Sequence, residues 1–129
     1  MLTDSERQQA IEAIRDAHRT KKQAIQPSVM FPHITIDDAY AISSALADDK
    51  VKQGSTIVGH KIGLTSKAMQ ASSQIDEPDY GYIFSDQVMS DGAKVRHEDF
   101  CVPRVEPELT FILDKPLKGP GVGLVDVLR

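Results

Sequence analysis

Glu106 and Glu108 are the residues whose type and spacing best fit chemistry in this sequence. On an extended strand, positions two apart share a face. The spacing therefore brings two carboxylates together, with Val105, Leu109 and Phe111 expected to pack beside them. Like charges so close drive one pKa up unless a cation lies between them. A hard divalent ion resolves the conflict, since Mg2+ accepts one or two carboxylates together with retained waters and substrate oxygens. The same spacing also fits a solvated acidic face or ordinary salt bridges. Pro107 cannot donate to a ladder, so it marks a bulge, an edge or an irregular strand. Asp114 and Asp126 follow, and neither stands at a spacing that completes a metal site.

Lys61 lies between two glycines in Gly59-His60-Lys61-Ile62-Gly63. Its ammonium could donate to a carboxylate or enolate oxygen, or exchange a proton if its pKa were depressed. An outward-facing lysine on a strand edge is the plainer reading. His60 would face the other way on a regular strand, so Lys61 alone is assigned to a pocket. Asp76, Glu77 and Asp79 crowd the following turn, where acids are commonly caps or solvated charges. Asp79 is taken as the one that pairs with Lys61 or positions a water. His18, His33 and His97 lack zinc-ligand spacing. Cys101 has no histidine base nearby in sequence and reads as a buried or incidental thiol. Gly119-Pro120-Gly121-Val122-Gly123 lacks the Lys-Ser/Thr ending of a phosphate-binding loop.

The elements that must position these residues are legible in outline. Thr3-Asp4-Ser5-Glu6 has the form of a capping box. Behind it Ala10, Ile11, Ile14, Ala17 and Ile25 recur at helical spacing, which predicts a helix from about 4 to 25. Pro27 and Pro32 punctuate a connector. A second cap at Thr35–Asp38 opens a helix to about Lys52, with Gly54 as its stop. Residues 57–64 are β-prone, 66–73 suit a short helical turn, and Tyr82-Ile83-Phe84 suits a short strand. Turns are expected at 76–81 and 90–92. Val102–Leu113 reads as the clearest later strand, and 117–123 as a loop. The pattern predicts an α+β fold: a helical region over 1–54, then short, irregular strands over 55–129.

The 129 residues suffice for one ordinary core. Fifteen Lys+Arg against 19 Asp+Glu give a net charge of −4, which weighs against a nucleic-acid partner. A single cysteine excludes an intrachain disulfide framework. No apolar run approaches the roughly 20 residues of a membrane span, and MLTDSERQQA lacks the apolar core of a signal peptide. A cytoplasmic protein without a membrane partner is expected. The final VGLVDVLR is turning regular and apolar where the sequence stops, as an unfinished chain would.

Three stretches carry a family resemblance: GHKIGLTSKAMQ from Gly59 to Gln70, EPDYG from Glu77 to Gly81, and PRVEPEL from Pro103 to Leu109. Together they resemble the 2-oxo-hepta-3-ene-1,7-dioate hydratases, relatives of 2-keto-4-pentenoate hydratase in the fumarylacetoacetate hydrolase superfamily. The similarity runs from about residue 5 to the end. It implies an incomplete, mixed β-rich fumarylacetoacetate-hydrolase-like fold after the N-terminal helices. It also implies an enzyme of aromatic-compound degradation that hydrates a 2-oxo-enedioate, reached from its 2-hydroxydienoate tautomer, to 4-hydroxy-2-oxoheptanedioate. The resemblance assigns Glu106 and Glu108 as metal ligands for Mg2+ or Mn2+, Lys61 and Asp79 as catalytic residues, and a homo-oligomeric assembly. Pro107 stands where the family commonly has a branched apolar residue. The family's third ligand, a glutamate further along, has no counterpart here, and family chains are longer. Arg104 is a candidate for the substrate's distal carboxylate. Two other readings stay open: a metal-dependent 2-oxo-3-enedioate decarboxylase, and an inactive fragment or non-catalytic interaction subunit.

Overall fold

A computed structural model describes residues 1–128. Helix α1 (Asp4–Thr20) begins where the capping box closes: the Glu6 amide donates to Thr3 Oγ1 at 3.3 Å, and the Thr3 amide donates to Glu6 Oε2 at 2.8 Å. It ends earlier than its apolar spacing predicts. Lys21 adopts a left-handed conformation with φ 56°, which breaks the helical path and leaves Ile25 outside it and exposed. Helix α2 (Pro27–Met30) is a single turn inside the connector, started by a proline whose missing amide costs nothing there.

Helix α3 (Ile36–Lys52) repeats the reciprocal cap. The Asp38 amide donates to Thr35 Oγ1 at 3.2 Å, and the Thr35 amide donates to Asp38 Oδ2 at 3.1 Å. Gly54, at φ 101°, follows its last turn. Helices α1 and α3 bury Leu2, Ala10, Ile11 and Ile42 against each other, flanked by Ile14, Phe31, Ile34, Ala45 and Leu46. Asp38 lies within this packing at 1% exposure. It accepts hydrogen bonds from the Leu2 amide at 2.9 Å and from Arg7 at 3.1 Å. One buried carboxylate thus joins the N-terminus, α1 and the α3 cap.

The sheet is an antiparallel pair, β1 (Ile57–Gly63) and β2 (Asp79–Phe84), whose register shifts between Ile57 and Gly59. Helix α4 (Lys67–Ser73) fills their connection, with Ser66 as its cap and Nε2 of the buried Gln70 side chain donating to the Leu64 carbonyl at 2.8 Å. Asp86 ties the far end of the pair to α3 through Lys50 at 2.6 Å, and to the loop after α3 through Ser55 at 2.9 Å. The Tyr40 and Tyr80 rings stack at 4.8 Å. The structure is therefore α+β, helices followed by a small, unclosed sheet.

The strand expected over Val102–Leu113 is absent; the segment is irregular and pairs with no strand among the described residues. Apolar alternation identifies residues that suit a pleated surface, but a strand also needs a ladder partner. Pro103 and Pro107 each remove a donor as well. Val105 and Leu109, expected to pack beside the glutamates, are 96% and 92% exposed. A one-turn helix α5 (Leu124–Val127) follows the loop; Arg129, the last residue of VGLVDVLR, lies outside the described residues. Among the described residues, no helix is long and apolar enough to cross a membrane.

Candidate functional site

The register of the hairpin sorts the sequence-predicted residues onto two faces. Lys61 stands opposite Gly81, and Gly63 opposite Asp79. Cross-strand partners share a face, as do positions two apart. Lys61 and Asp79 therefore occupy one face diagonally, with Gly63 and Gly81 leaving the space around them open. His60 belongs to the other face, where its ring lies 5.5 Å from that of Tyr82 and 6.4 Å from that of Tyr80. Lys61 and His60 thus stand on opposite faces of the hairpin.

Glu106 and Glu108 reach the first face from the irregular segment. The Lys61 ammonium is 2.9 Å from Glu106 Oε2 and donates to Glu108 Oε1, a contact across 47 positions of sequence. The two carboxylates do converge, but on a cation rather than through the pleat of a strand. Lys61 accordingly pairs with these glutamates rather than with Asp79, for which the other expected role, positioning a water, stays open. Hydrogen bonds to Glu108 and then Glu106 raise the Lys61 pKa above its ordinary value. A lysine so placed keeps its proton, contrary to the depressed value a resting general base would need. The hydrogen bond from Lys61 holds Glu106 below the ordinary carboxylate value, and the positive charge of Arg104 adds to the effect. For Glu106 the shift is thus opposite to the rise that a neighbouring carboxylate alone would cause, because the ammonium lies beside it.

Asp79 is seated by an absence. A methyl group on Gly63 would lie 2.2 Å from Asp79 Oδ1, so only glycine leaves that position to the carboxylate. Asp79 also borders a cleft of about 250 Å3 between α3 and the turn before β2, lined by Ile36, Tyr40, Ile75 and Glu77 among others. The Tyr40–Tyr80 stack, which the sequence reading missed, fixes the start of β2 against α3. Its only sequence signal is the alternation of Tyr80 and Tyr82, which places both rings on the face away from Lys61. A larger cleft of about 660 Å3 lies among Arg15, Arg19, Asp49 and Phe84 and contains none of the predicted site residues. Cys101 is exposed, not buried.

No group of three or more His, Cys, Asp or Glu side chains suited to a metal ion occurs among the described residues. Glu106 and Glu108 nonetheless fit a hard divalent cation in donor chemistry. They are two oxygen ligands already drawn together by one positive charge, and Mg2+ takes its remaining ligands from water and substrate.

No family model matches the chain. It is 50% identical over 111 residues to a 2-oxo-hept-4-ene-1,7-dioate hydratase of Escherichia coli, covering 86% of this chain and 42% of that protein. The chain is a homologue of these hydratases. It is also 34% identical over 116 residues to a 2-keto-4-pentenoate hydratase of Paraburkholderia xenovorans (strain LB400), covering 90% of this chain and 43% of that protein. The hydratase homologue thus spans less than half the length of the curated relatives it matches. Among solved structures, it is similar to 4-oxalocrotonate decarboxylase from Pseudomonas putida G7 complexed with magnesium and adipate. That similarity has a TM-score of 0.62 and 30% identity, over 67% of this chain and 33% of the decarboxylase. The chain is thereby placed in the fumarylacetoacetate hydrolase superfamily, in agreement with the resemblance carried by the three motifs.

Proposed function

We propose that the hydratase homologue adds water to a 2-oxo-heptenedioate, reached from its 2-hydroxydienoate tautomer, to give 4-hydroxy-2-oxoheptanedioate in aromatic catabolism. The observation that carries this reading is the meeting of Lys61, Glu106 and Glu108 on the face that also bears Asp79. The 50% identical relative is named for the 4-ene. Our sequence reading specified the 3-ene, and both are ketones of the same dienol, protonated at C3 or at C5.

In this reading Glu106 and Glu108 would hold Mg2+ or Mn2+, whose Lewis acidity favours negative charge on the 2-oxo oxygen. Protonation of the dienol at C5 leaves a conjugated ketone whose C4 is electrophilic. Water adds at C4 and a proton arrives at C3. Asp79, seated over Gly63, has the chemistry to orient the water and take its proton. Lys61 remains protonated and supplies a proton or a hydrogen bond to the developing enolate. Arg104, beside Glu106, is the nearest candidate for the distal carboxylate.

We assign residues 1–54 as the helical scaffold and 55–129 as the start of the catalytic domain. The strong exposure of Val105, Leu109 and Ile112, apolar residues of one short segment, supports a homo-oligomer, since apolar surface left in water favours association. A second reading, 2-oxo-3-enedioate decarboxylation, is supported by the likeness to 4-oxalocrotonate decarboxylase. Product analysis with freshly generated 2-hydroxyhepta-2,4-diene-1,7-dioate and Mg2+ separates the two. Hydration gives a product heavier by one water, lost in Glu106→Ala and Glu108→Ala. Release of CO2 from a 2-oxo-3-enedioate substrate without water addition would favour the decarboxylase.

A further inference from the structure

We propose that Lys61 is the resident counter-ion of the Glu106–Glu108 pair and that a divalent cation must displace its ammonium to bind there. The inference rests on the metal reading above and goes beyond it, because it makes metal loading and release of Lys61 one event. Lys61 sits within hydrogen-bonding reach of both carboxylates, and neither makes another ion pair among the described residues. The ammonium thus occupies the position between the two acids that a cation would take.

The charges favour an exchange. One ammonium leaves the pair with a net charge of about −1, whereas a divalent ion neutralises both carboxylates. The mechanics favour it too. Lys61 is fixed in a hydrogen-bonded hairpin, while the glutamates sit on a segment with no ladder partner among the described residues. The glutamates can therefore shift relative to Lys61 without breaking backbone pairing. Once displaced, the ammonium stays on the glycine-lined face diagonal to Asp79, where it is free to meet an anionic substrate. Without metal, Lys61 is held away from that task.

Mn2+ binding to the full chain, followed by the electron paramagnetic resonance of the free ion, tests this without relying on activity. Wild type, Lys61→Met, Lys61→Arg and a Glu106→Gln/Glu108→Gln double variant would be compared, each checked for unchanged helical circular dichroism. Should Lys61→Met fail to fold, Lys61→Gln replaces it. Removing the competing charge should tighten Mn2+ about two- to fivefold, the upper part of the scale of exposed ion pairs. Lys61→Arg should stay near wild type, and the double variant should lose binding. Unchanged or weaker binding by Lys61→Met, with loss in the double variant, would overturn the competition and leave the metal reading intact. Undiminished binding by the double variant would overturn both.

Discussion

Gly63 and Asp79 face each other across the hairpin, and the space between them is where a single methyl group has the clearest consequence. In Gly63→Ala the new carbon meets the end of a short side chain rather than backbone. The carboxylate should swing aside and the hairpin should survive. Folding stability should change by less than about 1 kcal/mol, while hydration falls roughly tenfold to a hundredfold through misplacement of Asp79. Urea denaturation and product analysis read the two effects separately.

A titration tests the Lys61 contact at the same scale. Glu106 is depressed below its ordinary 4.5, so its stabilising contact is complete above that value and is lost as pH falls through the lowered one. Lys61 is raised above 10.5, so its contribution is complete below 10.5 and is lost as pH rises past the raised value. The Glu106 carboxyl carbon should titrate below 4.5 by NMR, and Lys61→Met should move it back toward the ordinary value. Lys61, Asp79, Glu106 and Glu108 were all legible as candidates from residue type and motif. Which acid Lys61 meets was not. That contact spans 47 positions, and spacing within one segment carries no information about it.

Helices α1 and α3 were readable because their signals are local. A capping box and a 3.6-residue apolar period are complete within one short stretch of sequence. Their packing makes a direct prediction: Ile11→Ala or Ile42→Ala should cost about 2–5 kcal/mol of stability, measured by urea denaturation followed through helical circular dichroism. Asp38 adds a pH signature to the same pair of helices. Burial alone would raise its pKa, but hydrogen bonds from Thr35, the Leu2 amide and Arg7 outweigh that and hold it far below the usual carboxylate range. Its contribution is present above the ordinary 3.8 and lost as pH falls below it. Asp38→Asn should therefore lower the melting midpoint at neutral pH and remove part of the acid sensitivity of the wild type. The segment 102–113 shows the limit of element-level reading. Its β-prone residues state a preference for a sheet, whereas the ladder partner that would satisfy it is not written in the segment itself.

At the scale of the molecule, the helices anchor a hairpin, and the hairpin presents Lys61 and Asp79 to a segment that brings two glutamates. Tyr40 on Tyr80, and Lys50 on Asp86, hold that hairpin to α3 at its two ends. The α+β class was legible from the change of texture near residue 55. The extent of the sheet was not, since pairing is a property of two strands together. The claim that this arrangement serves hydration is tested most directly by proton NMR in D2O. The full chain, loaded with Mg2+, would be given 2-hydroxyhepta-2,4-diene-1,7-dioate. The account predicts metal-dependent appearance of a carbinol at C4 with deuterium entering at C5 and C3, abolished in Glu106→Ala. A folded, metal-loaded chain that leaves C4 unhydrated would contradict it.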